Sequence, residues 1–256
     1  MNLNLKNKVV IVTGASRGIG KAIALGFAAE GARLSLCGRI PEPLESAAEE
    51  IRKLGMEVFA KSTDVTKSSE AEAFVNATLD KFGRIDVLIN NVGGSRKTPT
   101  LEISDAEWHE LLDLNAVTAA RMSRLVIPAM RQQSGGVIIM ISSIFGRESG
   151  GHITYNAGKA AEIALTKSLA LELAPHHIRV LSVAPGSILF PGGSWDRRQK
   201  ADPPAIAEFV KRELPFGRFG KPEEIADVVV FLASERASWV SGACLNVDGC
   251  QSRSNI

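Results

Sequence analysis

Val9-Val10-Ile11-Val12-Thr13-Gly14-Ala15-Ser16-Arg17-Gly18-Ile19-Gly20 joins an apolar, β-branched run to a glycine-rich turn. Unbroken apolarity over four residues fits a strand buried on both faces. Gly14, Gly18 and Gly20 permit a tight turn and let the backbone approach a pyrophosphate, which the amino end of a following helix attracts. That helix is expected from about residue 19 to residue 30. The spacing is G-x-x-x-G-x-G rather than the commoner G-x-G-x-x-G. Glycines alone prove little, since turns need them; their place between strand and helix gives the reading its weight.

Outward from this stretch the same alternation recurs. Further strands are expected near 33–37, 57–61, 87–89, 137–141, 179–183 and 244–247. Helices are expected near 44–54 and 68–82, from 104 toward 130, across 154–174, and from Pro222 onward. Ser104-Asp105-Ala106-Glu107 has the form of a capping box, and Pro222 before Glu223 and Glu224 suits a first helical turn. Apolar strands alternating with helices predict an α/β fold: a single-domain, Rossmann-type, doubly wound parallel sheet of about seven strands with helices on both faces. Ligands of such sheets bind beyond the carboxyl ends of the strands.

The chain has 256 residues, with 30 basic against 28 acidic side chains and a net charge of +2. No Pro/Ser/Gly-rich linker divides it, so residues 1–256 are expected to form one domain. The charge balance and the lack of a long basic run argue against nucleic acid. The first six residues lack a signal peptide's apolar stretch, and no apolar run approaches the roughly 20 residues of a membrane span. Cys37, Cys244 and Cys250 are an odd set without metal-ligand spacing, so no metal site is expected. These features predict a cytoplasmic protein with neither nucleic-acid nor membrane partners.

The residues after the second strand bear on which dinucleotide binds. An NAD site usually has a carboxylate there for the ribose 2′-hydroxyl. Here the strand ends Leu36-Cys37-Gly38-Arg39. Arg39 and Arg17 suit a 2′-phosphate through the guanidinium fork, so NADP(H) is the expected cofactor. The bland alternative is two solvated arginines, with NAD as the cofactor.

Tyr155, the only tyrosine, precedes Lys159 by four residues and follows Ser143 by twelve. Helical spacing brings phenol and ammonium onto one face, where the cation eases ionisation of the phenol. Ser142 and Ser143 are both candidates for an orienting hydroxyl.

Together these residues closely resemble the short-chain dehydrogenase/reductase family over nearly the whole chain. Thr13 to Gly20 matches TGxxxGxG, Asp64-Val65 the adenine-contacting pair, and Asn90-Asn91-Val92-Gly93 the NNAG motif with Val for Ala. Asn115, Ser143, Tyr155 and Lys159 match the catalytic tetrad, and the family pattern selects Ser143 over Ser142. Pro185-Gly186 and Asn246-Val247-Asp248-Gly249 match later motifs, with Cys250 where a second Gly is usual. The resemblance implies cofactor contacts from Gly14, Ser16, Arg17, Gly18, Ile19, Gly20, Arg39, Asp64, Val65, Asn91, Gly93, Tyr155, Lys159, Pro185, Gly186 and Ile188.

It also implies hydride transfer between nicotinamide C4 and a carbonyl carbon. Tyr155 would exchange the proton, Ser143 would hold the substrate oxygen, and Lys159 would lower the phenol from its ordinary pKa of about 10. Asn115 would hold a relay water. The small-molecule carbonyl or alcohol would lie under a mobile lid at about 187–215, with Arg96, Lys97, Arg147, Glu148 and His152 as further lining candidates. The 215–224 run is most like the 3-oxoacyl (acyl-carrier-protein) reductases. Gln132-Gln133-Ser134 and His176-His177, however, stand where such reductases carry basic residues, so a free ketone stays open. Other readings are a small-alcohol or sugar dehydrogenase using NAD, and a non-catalytic NADPH-binding regulator. The family's habit implies a homotetramer joined through the two long central helices and through the last helix and strand.

Overall fold

A computed structural model describes residues 2–255. In the first half β1 (Val9–Thr13), α1 (Gly18–Ala29), β2 (Arg33–Gly38), α2 (Pro41–Lys53), β3 (Val58–Ser62), α3 (Ser68–Phe82) and β4 (Val87–Asn90) alternate. The second half continues with α4 (Asp105–Leu112), α5 (Thr118–Gln132), β5 (Gly136–Ile141), α6 (Ile153–Leu173) and β6 (Ile178–Pro185). It ends with α7 (Ser194–Ala201), α8 (Pro203–Glu213), α9 (Pro222–Ala233) and β7 (Cys244–Val247). The strands form one seven-stranded sheet in the order β3-β2-β1-β4-β5-β6-β7. Every neighbouring pair is parallel.

Alternate side chains of each strand enter opposite helical layers. Val10 and Val12 join the cluster under α1 and α9, where Phe27 is fully buried. Ile11 joins the other cluster, with Phe74 of α3 and Met122 of α5. Each such large side chain contributes about 1.5–3 kcal/mol on burial. The strand order reverses between β1 and β4, so the two connections leaving this seam diverge and open a crevice.

Two expectations need refinement. The helix begun at Ser104, whose hydroxyl accepts from Glu107 N at 3.2 Å, is not continuous. A π turn over Asp113–Val117 separates α4 from α5. The Asn115 side chain explains its position, donating to both Leu111 O and Gly94 O at 2.8 Å. Such insertions cluster at functional positions. The 187–215 segment, in turn, contains α7 and α8 packed around their own small core. Trp195 stacks on Phe209 at 4.5 Å and meets Phe219 at 5.1 Å.

Burial pushes the Cys37 thiol up to about 12, against a smaller opposing backbone hydrogen bond at Gly14. A thiol reagent at neutral pH is therefore expected to reach exposed Cys250 in the native protein and Cys37 only on unfolding. Mass spectrometry of briefly labelled protein checks this, and early labelling at Cys37 would contradict it.

Candidate active site

The glycine turn and β4 meet at the seam. Thr13 Oγ1 donates to Ile89 O at 3.2 Å and accepts from Asn91 N at 3.0 Å. Asn91 Nδ2 donates back to Thr13 O and Gly14 O at 3.0 and 3.2 Å. Gly14 and Gly18 hold φ of +65° and +56°, where a side chain is strained. Gly20 needs its lack of Cβ for another reason. An added carbon would collide with the Gly14 carbonyl oxygen and stand 2.5 Å from Asn91 Nδ2.

The first turn of α1 contains no acidic residue, and no side chain caps it. Its N–H groups, from Gly18 through Ile19, thus face the crevice without a side-chain acceptor, which fits a pyrophosphate. Ser16 lies against the end of β2, its Oγ 3.6 Å from where a Gly38 Cβ would stand. Arg39 follows, exposed. Asp64 accepts from Thr66 N and Oγ1 at 3.1 and 2.8 Å. Burial alone would raise its carboxyl; the Thr66 bonds and the nearby charges of Arg39 and Lys67 hold it below the ordinary value. Val65 beside it is buried and its carbonyl accepts from Arg121.

The carboxyl end of β5 and the first turns of α6 form the other half. Ser143 is buried and its hydroxyl accepts from Phe145 N at 3.2 Å. The neighbouring Ser142 hydroxyl instead donates to the Lys159 carbonyl at 3.0 Å, bracing the helix. Lys159 Nζ lies 5.7 Å from the Tyr155 ring centre and donates to Ile141 O at 2.8 Å. A Cβ at Gly93 would stand 2.8 Å from Asn115 Oδ1 and 3.0 Å from Lys159 Nζ, so these three residues converge. Asn115, Tyr155 and Lys159 thus converge, and Ser143 directly follows the β5 end whose Ile141 carbonyl and Ser142 hydroxyl bind Lys159, although the four come from three separate segments.

Lys159 Nζ also meets a group that the motifs did not single out, Glu162 Oε2 at 2.9 Å. Its i,i+3 spacing from Lys159 was the available signal. Gln251 is a second such residue. Its side-chain amide accepts from Ser187 N at 2.7 Å and donates to Ser187 Oγ at 3.0 Å, tying the tail to the base of the 187–215 segment. Ile188 is buried and bridges to Gly220, just beyond Pro185 and Gly186. Phe190 lies against the glycine turn, with ring atoms 2.7 Å from where a Gly18 Cβ would stand. Arg17 Nη1 donates to Gly192 O at 3.3 Å.

Some pocket candidates are engaged elsewhere. Arg147 donates to Cys244 O at 2.7 Å. Glu148 accepts from Ser252 Oγ and Arg253 N of the tail. Arg96, Lys97 and His152 do line a cavity of about 370 Å³ beside the start of α6, with Arg96 also paired to Glu110 at 2.7 Å.

Residues 8–200 match the short chain dehydrogenase family model. A 3-oxoacyl (acyl-carrier-protein) reductase of Thermotoga maritima is 37% identical over 248 residues, covering 96% of this chain and 98% of that one. The 7alpha-hydroxysteroid dehydrogenase of Escherichia coli K12 is 35% identical, covering 97% and 95%. Among solved structures, L-sorbose reductase from Gluconobacter frateurii, complexed with NADPH and L-sorbose, superposes with a TM-score of 0.94. It shares 34% identity, with 99% and 100% of the two chains covered. A 7 alpha-hydroxysteroid dehydrogenase complexed with NADH and 7-oxo glycochenodeoxycholic acid reaches 0.90 at 35% identity, covering 97% and 96%.

The chain belongs to the short-chain dehydrogenase/reductase family. It is an oxidoreductase acting between CH–OH and C=O groups, and the two solved structures above hold NADPH and NADH.

Proposed function

We propose that this protein is an NADP(H)-dependent carbonyl reductase acting on a ketone or a 3-oxoacyl compound. The observation that carries the reading is the gathering of Asn115, Ser143, Tyr155 and Lys159 beside an uncapped helix start at one sheet end. The dinucleotide, when bound, supplies the hydride from nicotinamide C4. Tyr155 gives its phenolic proton to the carbonyl oxygen, and Ser143 donates a hydrogen bond that orients that oxygen. Lys159 presents its positive charge to the phenol. Asn115, its side chain locked to Gly94 in both directions, fixes the π turn against α6 and would hold the relay water that links Lys159 to solvent.

Gly14, Ser16, Gly18, Gly20, Asn91 and Gly93 shape the cradle, with Asp64 and Val65 at the adenine side and Pro185, Gly186 and Ile188 at the nicotinamide side. The 187–215 segment acts as the substrate lid, hinged where Ser187 meets Gln251. A panel of ketones, quinones, sugars and 3-oxoacyl thioesters assayed with NADPH and NADH tests the reading. Absence of NADPH consumption across the panel, despite tight NADPH binding, would make the protein a sensor instead.

The cofactor choice rests on exposed Arg39, just past a β2 that ends without a carboxylate; Arg17, also expected at a 2′-phosphate, instead turns its guanidinium to Gly192 O. Charge-assisted bonds to a 2′-phosphate are worth about 1.5–3 kcal/mol. Arg39→Asp is therefore expected to lower kcat/KM for NADPH at least about tenfold and to improve NADH. An unchanged NADPH preference would remove Arg39 from the cofactor site. Fully exposed Trp239 and largely exposed Leu171 lie near the two surfaces expected to join subunits, which favours a homotetramer. No helix among the described residues is long and apolar enough to cross a membrane, consistent with work in the cytoplasm.

A further inference from the structure

Lys159 is only 2% exposed, and Glu162, one turn further along α6, is completely buried. An ammonium in such a place is costly unless a counter-charge accompanies it. Glu162 Oε2 supplies one at 2.9 Å, while Ile141 O takes a second ammonium proton at 2.8 Å. The other carboxylate oxygen, Oε1, is buried and accepts no hydrogen bond. A core position one turn from a working lysine would be filled at lower cost by an apolar side chain. Retaining a half-satisfied carboxylate there needs a reason in the chemistry.

We propose that Glu162 is a positioning residue for the reaction: it is the built-in counter-ion that keeps the buried Lys159 ammonium charged and aimed, and so sets the alkaline limit of turnover. This rests on the reading of Tyr155 and Lys159 as the proton-handling pair.

The surroundings isolate the pair. Lys159 is the one charged group that acts on Glu162. The Tyr155 phenol acts in turn on Lys159. Of the elements packed against α6, β5 and the 144–146 turn carry no charged side chain. Arg179 of β6 is spent on carbonyls at the end of α9, from Leu232 to Ser234. Asp113 of the π turn pairs with Arg121, and Glu107 and Glu110 of α4 pair with Arg96. Asp105 and His109 of α4 and His176 beyond α6 complete the titratable groups on those elements.

Burial pushes the Glu162 carboxyl up to about 7 against the pull of Lys159. For Lys159 burial is the largest influence and lowers it; the attraction of Glu162, with that of Tyr155, more than reverses this and leaves it raised. The carboxylate thus carries its charge at alkaline pH, the range in which an unpaired buried ammonium would give up its proton.

The test uses the whole protein without ligand, labelled at lysine Cε, with the Lys159 NMR resonance assigned by its loss in Lys159→Met. In Glu162→Gln the Lys159 titration is expected to fall by about one pH unit or more, with Glu162→Asp between it and the wild type. Glu162→Met, an apolar filling of the same space, provides the same comparison should the amide variant not fold. With a substrate in hand, the alkaline limb of the pH–rate profile is expected to move down by the same amount. The KM for the carbonyl compound should stay within a few-fold. A Lys159 titration and an alkaline limb both unmoved in the Gln and Met variants would overturn the proposal. Retained turnover in Tyr155→Phe would sink the catalytic reading instead, while leaving the Lys159 titration result as it stands.

Discussion

Tyr155→Phe is expected to lower turnover by about a thousandfold or more while dinucleotide binding persists. The phenol is the single tyrosine of the chain, so no neighbour of like chemistry can replace it. Lys159 cannot take over the transfer, since its ammonium is held by Ile141 O and Glu162. The Ser143 hydroxyl is too weak an acid to do so. Phenylalanine keeps the ring that packs at the start of α6, so the fold and the glycine cradle should survive. The measurement pairs kcat on any accepted carbonyl compound with a fluorescence titration of NADPH. Near-normal kcat would remove Tyr155 from the chemistry. Loss of binding along with activity would instead indicate a structural role. On the proposed roles the four residues act as a unit, so adding Lys159→Met to the Phe variant should cost little more.

Gly20→Ala is expected to produce the second large loss. Its methyl group would occupy space already held by the Gly14 carbonyl and Asn91 Nδ2, one a backbone atom and the other fixed by bonds to Thr13 O and Gly14 O. Neither can yield without opening the turn. Overpacking of this kind costs about 1–3 kcal/mol of stability. The same displacement moves the α1 N–H groups from the position suited to a pyrophosphate, so cofactor affinity should fall at least about tenfold. Thermal unfolding with and without NADPH reads both effects. Wild-type stability together with wild-type affinity would show that the turn has room for a side chain, against the close approach described above.

The fold was legible because its strands announce themselves. Val9 to Val12 and Val87 to Ile89 are apolar without interruption, and such runs suit only a sheet covered on both sides. The glycine turn and the Tyr155–Lys159 spacing were legible for a similar reason, since their physical demands are met by neighbours in sequence. What escaped depends on partners far along the chain. The π turn follows from Asn115 reaching Gly94 across 21 residues, which no local propensity encodes. Helices α7 and α8 fold back because Trp195 finds Phe209 and Phe219. Arg147 and Glu148 read as pocket residues until β7 and the tail claimed them. Glu162 looked like any helical glutamate, since burial is invisible in a sequence.

The β1–β4 seam also bears on how the protein comes to exist. Thr13 and Asn91, which lock the two walls together, are 78 residues apart. A chain emerging during synthesis therefore carries the whole glycine turn long before it possesses the opposite wall. Parallel pairing over such a separation forms slowly, because the loop must close before any contact rewards it. Dinucleotide affinity is then a property of the completed seam and not of the motif. A cell rich in the cofactor would stabilise those chains in which β4 has docked beside β1, so the ligand acts as a selector for finished topology as well as a reactant.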